Sequence, residues 1–68
     1  PLSMVRAGEP NVIKKVGAGQ KRKKFLENLG FVVGGLVTVV SEINGSLIVN
    51  VKDSRVAIGR DMANKILV

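Results

Sequence analysis

A small, mostly β barrel is the fold this sequence predicts, and three observations predict it. Valine alone supplies 12 of the 68 residues, while the only aromatic residues are Phe25 and Phe31, a β-branched composition that suits strands over helices. Asn44-Gly45 separates two Val- and Ile-rich runs and supplies the two positive-φ positions of a type I′ hairpin turn. About five short apolar runs follow one another between turn signals. A single open sheet of that size would leave long Val-rich edges, so closure into a small barrel is the more stable arrangement.

The elements follow in order. Leu2 to Pro10 is an opening segment in which Leu2, Met4 and Val5 cover one end of a core, and Gly8-Glu9-Pro10 turns the chain. Val12 to Val16 is the first strand, ended by Gly17-Ala18-Gly19. From Gln20 to Leu29 the apolar residues Phe25, Leu26 and Leu29 share one face at helical spacing, and Gly30 follows as a terminator, which predicts one short helix. Both phenylalanines are expected in the core. Gly34 and Gly35 are expected to let a strand bend at a barrel corner.

The hairpin joins Leu36 to Ile43 with Ser46 to Lys52, and its second arm alternates Leu47, Val49 and Val51 with Ile48, Asn50 and Lys52. Asp53-Ser54 is a turn, Arg55 to Ile58 a strand, and Gly59-Arg60-Asp61 another turn. Met62 to Asn64 adds a helical turn before the final strand, Lys65 to Val68. Sixty-eight residues bury one core, so residues 1–68 form one domain.

Composition narrows the chemistry. Without cysteine or histidine, disulfide scaffolds, Cys/His zinc modules and c-type haem sites are excluded. The longest apolar stretch, Phe31 to Val40, is about half of the roughly 20 residues a membrane helix needs. No charged segment followed by an apolar stretch and a cleavage site marks the start, so the expected setting is cytoplasmic. A catalytic base would have to be a carboxylate or lysine, yet Glu9, Glu27, Glu42, Asp53 and Asp61 are scattered singly, which argues against an enzyme. Asp53 and Asp61 would hold a hard cation only if folding joined them. Gly17 to Lys21 lacks the spacing and the hydroxyl of a phosphate-binding loop of the nucleotide-hydrolysing kind, and Gly30 to Gly35 is no dinucleotide fingerprint.

The net charge of +6 is uneven: residues 1–34 carry seven cations and two anions, residues 35–68 four and three. Lys21, Arg22, Lys23 and Lys24 occupy the first turns of the expected helix, where the positive end of its dipole disfavours cations. Such a patch attracts phosphates, anionic headgroups or an acidic protein surface, or serves simply as a solvated face. Nucleic-acid binding fits the basic charge, whereas the shortage of exposed rings for base stacking opposes it.

The run Phe25-Leu26-Glu27-Asn28-Leu29-Gly30-Phe31-Val32-Val33-Gly34, followed by the Val-rich hairpin, Arg55-Val56-Ala57-Ile58, Ala63 and Ile66-Leu67-Val68, resembles the FeoA family of ferrous iron transport. The resemblance spans nearly the whole chain. It implies an SH3-like barrel and a non-enzymatic role on the membrane ferrous iron transporter FeoB, whose cytoplasmic part is a GTP-binding domain. Family members often carry proline before the second glycine, where this chain has Val33-Gly34-Gly35, and the turn at Gly59-Arg60 is looser than usual.

The resemblance makes the helix the expected contact surface. Lys21, Arg22, Lys23 and Lys24 would steer the chain toward an acidic surface or anionic lipid headgroups, and Leu26, Leu29, Gly30 and Gly34 match the family pattern. No metal or cofactor site is implied within the chain itself. A small basic barrel that binds nucleic acid is the alternative function. A monomer or a strand-exchanged dimer is compatible with the Val-rich strands.

Overall fold

Asn44 and Gly45 both adopt positive φ, 50° and 82°, and close a two-residue turn of type I′. That turn joins strands β3 (Leu36–Ile43) and β4 (Ser46–Val51), which pair antiparallel. A computed structural model describes residues 1–68. In β4 the expected alternation holds: Leu47, Val49 and Val51 are buried, and Asn50 is exposed. The register of β3 slips between Val39 and Ser41, leaving Val40 as an extra residue that bends the strand. The bend in the long strand therefore lies at Val40, and the glycines expected to supply it sit before β3 begins.

Strand β5 (Ser54–Gly59) continues the meander after a tight turn at Lys52-Asp53, with Lys52 in the left-handed region at φ 53°. On the other side of β3 lies β1 (Pro10–Val12), giving a four-stranded antiparallel sheet in the order β1-β3-β4-β5. The first expected strand is in fact shared between two sheets. Ile13 is the corner: it is fully buried, its N–H donates to Gly35 O at 2.9 Å, and its carbonyl accepts from Gly34 N at 2.8 Å. One residue on, Lys14 N donates to Leu67 O at 2.7 Å, and β2 (Lys15–Val16) pairs with β6 (Ile66–Leu67). The extended segment thus leaves the larger sheet and enters the smaller one without a turn.

Six short strands in two sheets wrap the core as a small SH3-like fold. The strands do not form a continuous hydrogen-bonded ring: between β5 and β6 the chain makes a short helix, α2 (Arg60–Ala63). The core has thirteen apolar residues drawn from nearly every element, and no polar or charged side chain is buried in it. Of the opening segment, Leu2 is fully buried and Val5 packs on the core, whereas Met4 is 79% exposed. Met4 therefore does not cap the core as expected.

Helix α1 spans Gln20–Leu29 and ends in a Schellman motif. Gly30 is left-handed at φ 112°, Gly30 N donates to Glu27 O at 3.0 Å, and Phe31 N donates to Leu26 O at 2.9 Å. The apolar pair that accompanies this motif is Leu26 and Phe31, both fully buried. Gly30 is needed on two counts. Besides its φ, a Cβ there would lie 3.2 Å from the Lys52 stem and 3.3 Å from Val51 Cγ2.

After the helix, Val32 to Gly35 form a turn in which Gly35 N donates to Val32 O at 2.9 Å and Gly34 has φ 88°. Positive φ at the third residue alone makes it type II, with Val33 at the second position, where proline is favoured. Val33 donates no backbone hydrogen bond and is exposed. Val33→Pro is therefore expected to stabilise the fold by about 0.4–1 kcal/mol through the unfolded chain, read as a higher urea midpoint at unchanged slope.

Candidate functional site

Helix geometry decides which side chains of α1 meet solvent. Leu26 faces the core, and Phe25, one residue earlier, lies about 100° round the helix from it. The structure leaves Phe25 57% exposed. This corrects the expected core position: of three apolar residues on a broad stripe, Leu26 is buried, Leu29 is half-buried and Phe25 faces outward. Phe31 alone takes the aromatic place in the core.

Lys21, Arg22, Lys23 and Lys24 are all exposed, and none forms an ion pair; the single salt bridge of the chain joins Arg60 to Glu42. The first turn of α1 holds no acidic residue, its N-cap Gly19 offers no side-chain acceptor, and its last turn holds no basic residue. The charges thus oppose the helix dipole at the start, where each exposed cation costs about 0.3–1 kcal/mol. Lys21→Glu is accordingly expected to raise stability by about 0.5–2 kcal/mol, measured as a higher thermal midpoint.

Projected around the helix, Lys21 and Arg22 lie four and three residues before Phe25 and flank it directly, and Lys24 borders Lys21. Lys23 falls on the other side of the core-facing stripe, beside Glu27. The basic run is therefore two surfaces. Phe25 belongs to the one with Lys21, Arg22 and Lys24.

The other expected contact residues divide by burial. Leu26 and Gly30 are buried, where they hold the helix and its cap; Leu29 is half-buried, and Gly34 is exposed in the type II turn. Gly34 sits beyond the far end of a ten-residue helix, about 15 Å long, from Lys21. The helix start and the Gly34 turn are two separate surfaces.

Around that turn is a group that sequence reasoning missed. Val12 and Leu36 are directly opposed across β1 and β3 and are 48% and 60% exposed. Val33, 65% exposed, lies in the adjoining turn, whose backbone is tied to Ile13, the neighbour of Val12, by two hydrogen bonds. The cross-strand register was the missing signal. Val12 lay in an expected strand and Leu36 at the start of another, but nothing in their spacing paired them.

Two open grooves mark the surface. One, of about 340 Å³, runs past Leu36, Gly30, Pro10 and Lys52; the other, about 360 Å³, is lined wholly by polar residues of the β4–β5 turn region. Sites for small apolar ligands are lined mainly by hydrophobic and aromatic side chains. Leu36 is the one hydrophobic side chain that the first groove offers, so neither groove suits such a ligand. No three His, Cys, Asp or Glu side chains gather into a potential metal site. Asp53 and Asp61 stand at opposite ends of six-residue β5, about 20 Å of extended chain, so they do not form a cation-holding pair. No helix is long and apolar enough to cross a membrane.

The FeoA domain model matches residues 1–68. A Methanocaldococcus jannaschii protein named "Putative Fe(2+) transport protein A" is 37% identical over 68 residues, covering 100% of this chain and 83% of that protein. The fold also superimposes on a crystal structure of an iron uptake regulatory protein, FeoA, with a TM-score of 0.87 and 24% identity over 97% of this chain and 89% of the other. It is similar as well to the solution NMR structure of FeoA protein from Chlorobium tepidum, with a TM-score of 0.89 and 25% identity, covering 97% of this chain and 65% of that one. Matched from end to end by the family model and by a relative of this identity, the chain belongs to the FeoA family of ferrous iron transport.

Proposed function

We propose that this FeoA-family chain is a cytoplasmic, non-enzymatic accessory protein that binds the ferrous iron transporter FeoB through its cytoplasmic GTP-binding region and modulates uptake. The observation that carries the docking is the exposed apolar group of Val12, Val33 and Leu36 beside Gly34. Three large aliphatic side chains held at one sheet edge by paired strands and a hydrogen-bonded turn form a preorganised anchor for a protein surface. Half-buried Leu29 lies at the end of α1 nearest this turn. Lys21, Arg22, Lys23 and Lys24 act at longer range, steering the chain toward an acidic surface and raising the association rate more than the affinity.

Calorimetric titration of the chain into the soluble GTP-binding region at low and high salt tests this reading. Saturable binding that survives high salt is the expected result, because the anchor is apolar; no binding at either salt would refute it.

A second reading, nucleic-acid binding, gains one observation. Exposed Phe25 gives the basic helix a ring on which a base could stack. It predicts instead that a short DNA duplex or single strand binds with an affinity falling log-linearly and steeply with salt.

A further inference from the structure

From the face of α1 formed by Lys21, Arg22, Lys24 and Phe25, we infer that the chain docks peripherally on an anionic lipid surface. Docking of this kind goes beyond the transporter contact and does not rest on it: its apolar anchor is Phe25 on α1, apart from the edge of Val12, Val33 and Leu36, and it needs no protein partner, although the same cations serve as the steering charges of the transporter contact. Three properties of the face select lipid. All three of its charges are cations without an acidic partner, and the positive end of the helix dipole lies beneath them. Clusters of this sign beside an apolar group attract anionic headgroups.

Phe25 stands among those cations with more than half its surface in water. A polybasic patch alone binds a bilayer weakly, and a second, apolar element that enters the headgroup boundary strengthens the attachment. Phe25 is that element. Finally, the face is a convex helix with one ring. A single strand of nucleic acid is held in a groove by several rings in succession, whereas a fluid headgroup layer deforms to meet a convex surface.

The same geometry supplies its own control. Lys23 carries the same charge about 3 Å further along the helix axis but projects on the opposite side of the core-facing stripe. Docking through the named face therefore makes Lys21 matter more than Lys23.

The test is flotation of the full chain with phosphatidylglycerol-containing vesicles and with pure phosphatidylcholine vesicles, no transporter present. The wild-type chain is expected to float with the anionic vesicles only. Lys21→Glu should weaken that binding by roughly fivefold or more and Lys23→Glu by about twofold or less, while circular dichroism confirms that both fold. In a Phe25→Trp variant, tryptophan emission should shift to the blue with anionic vesicles, reporting entry of the ring into the headgroup boundary. Equal losses for Lys21→Glu and Lys23→Glu would overturn the inference in favour of diffuse net charge. So would an unshifted emission from the Phe25→Trp variant, or failure to float beside tight, salt-sensitive binding to a DNA duplex. Because the transporter domain is titrated without lipid and the vesicles contain no transporter, either reading can fail while the other stands.

Discussion

Phe31→Ala is expected to destabilise the protein by about 3–5 kcal/mol, the usual cost of removing a fully buried ring and leaving a cavity. A domain of this length has a total stability of only about 3–10 kcal/mol. The substitution therefore removes a large share of the whole. Phe31 is the largest of the fully buried side chains, and its backbone N–H closes the Schellman motif on Leu26. Phe31 sits in the core cluster directly after the cap of α1, so its loss loosens the hold of the helix end on the core as well as emptying a site. Thermal unfolding followed by circular dichroism should show a midpoint at least about 15 °C lower. Phe25→Ala, with its ring in water, should change the midpoint by no more than a few degrees. Equal effects of the two substitutions would contradict the assignment of one ring to the core and the other to the surface.

Under the docking proposed above, Leu36→Asp is expected to weaken binding to the transporter's GTP-binding region by about 2 kcal/mol or more, at least roughly thirtyfold. The side chain is 60% exposed, so the fold should tolerate the charge. At a buried contact the same carboxylate would face Val12 and the partner's apolar surface without compensation. Met4→Asp is the matched control, since Met4 is 79% exposed on the opening segment, which packs on α2 and whose Ser3 hydrogen-bonds Asn64. It should leave the affinity unchanged. A comparable loss from Met4→Asp would show that any exposed apolar residue contributes and would remove the reason for naming this edge.

Where the structure could be read in advance, the reason was local. Asn44-Gly45 permits its turn because both positions need positive φ, and the two arms then pair in one register. Gly30 announces the helix end because glycine readily takes the left-handed cap conformation, and α1 ends at Leu29 as expected. Nonlocal facts were not legible. The passage of the Pro10–Val16 segment between two sheets depends on Gly35 and Leu67, partners distant in sequence. The outward turn of Phe25 depends on how far α1 is rotated against the core, which a stripe holding Phe25, Leu26 and Leu29 does not settle.

The candidate site divides along the same line. The cations of α1 were visible as a run that opposes the helix dipole. That the run splits into two surfaces, with Phe25 on one, follows only from helical projection once Leu26 is known to be the buried residue. The apolar edge of Val12, Val33 and Leu36 needed the cross-strand register and the type II turn together. Gly34 matched the family pattern for its backbone: its φ makes the turn that presents Val33.

Docking through the Gly34 edge is open to an amide NMR titration of the labelled chain with the soluble GTP-binding region of the transporter. Saturable shifts are expected centred on Val12, Val33, Gly34 and Leu36, with smaller, salt-sensitive shifts at Lys21 to Lys24 that fade while the first set persists. Shifts confined to the basic helix and lost at high salt, or no shifts at all, would contradict docking through the Gly34 edge.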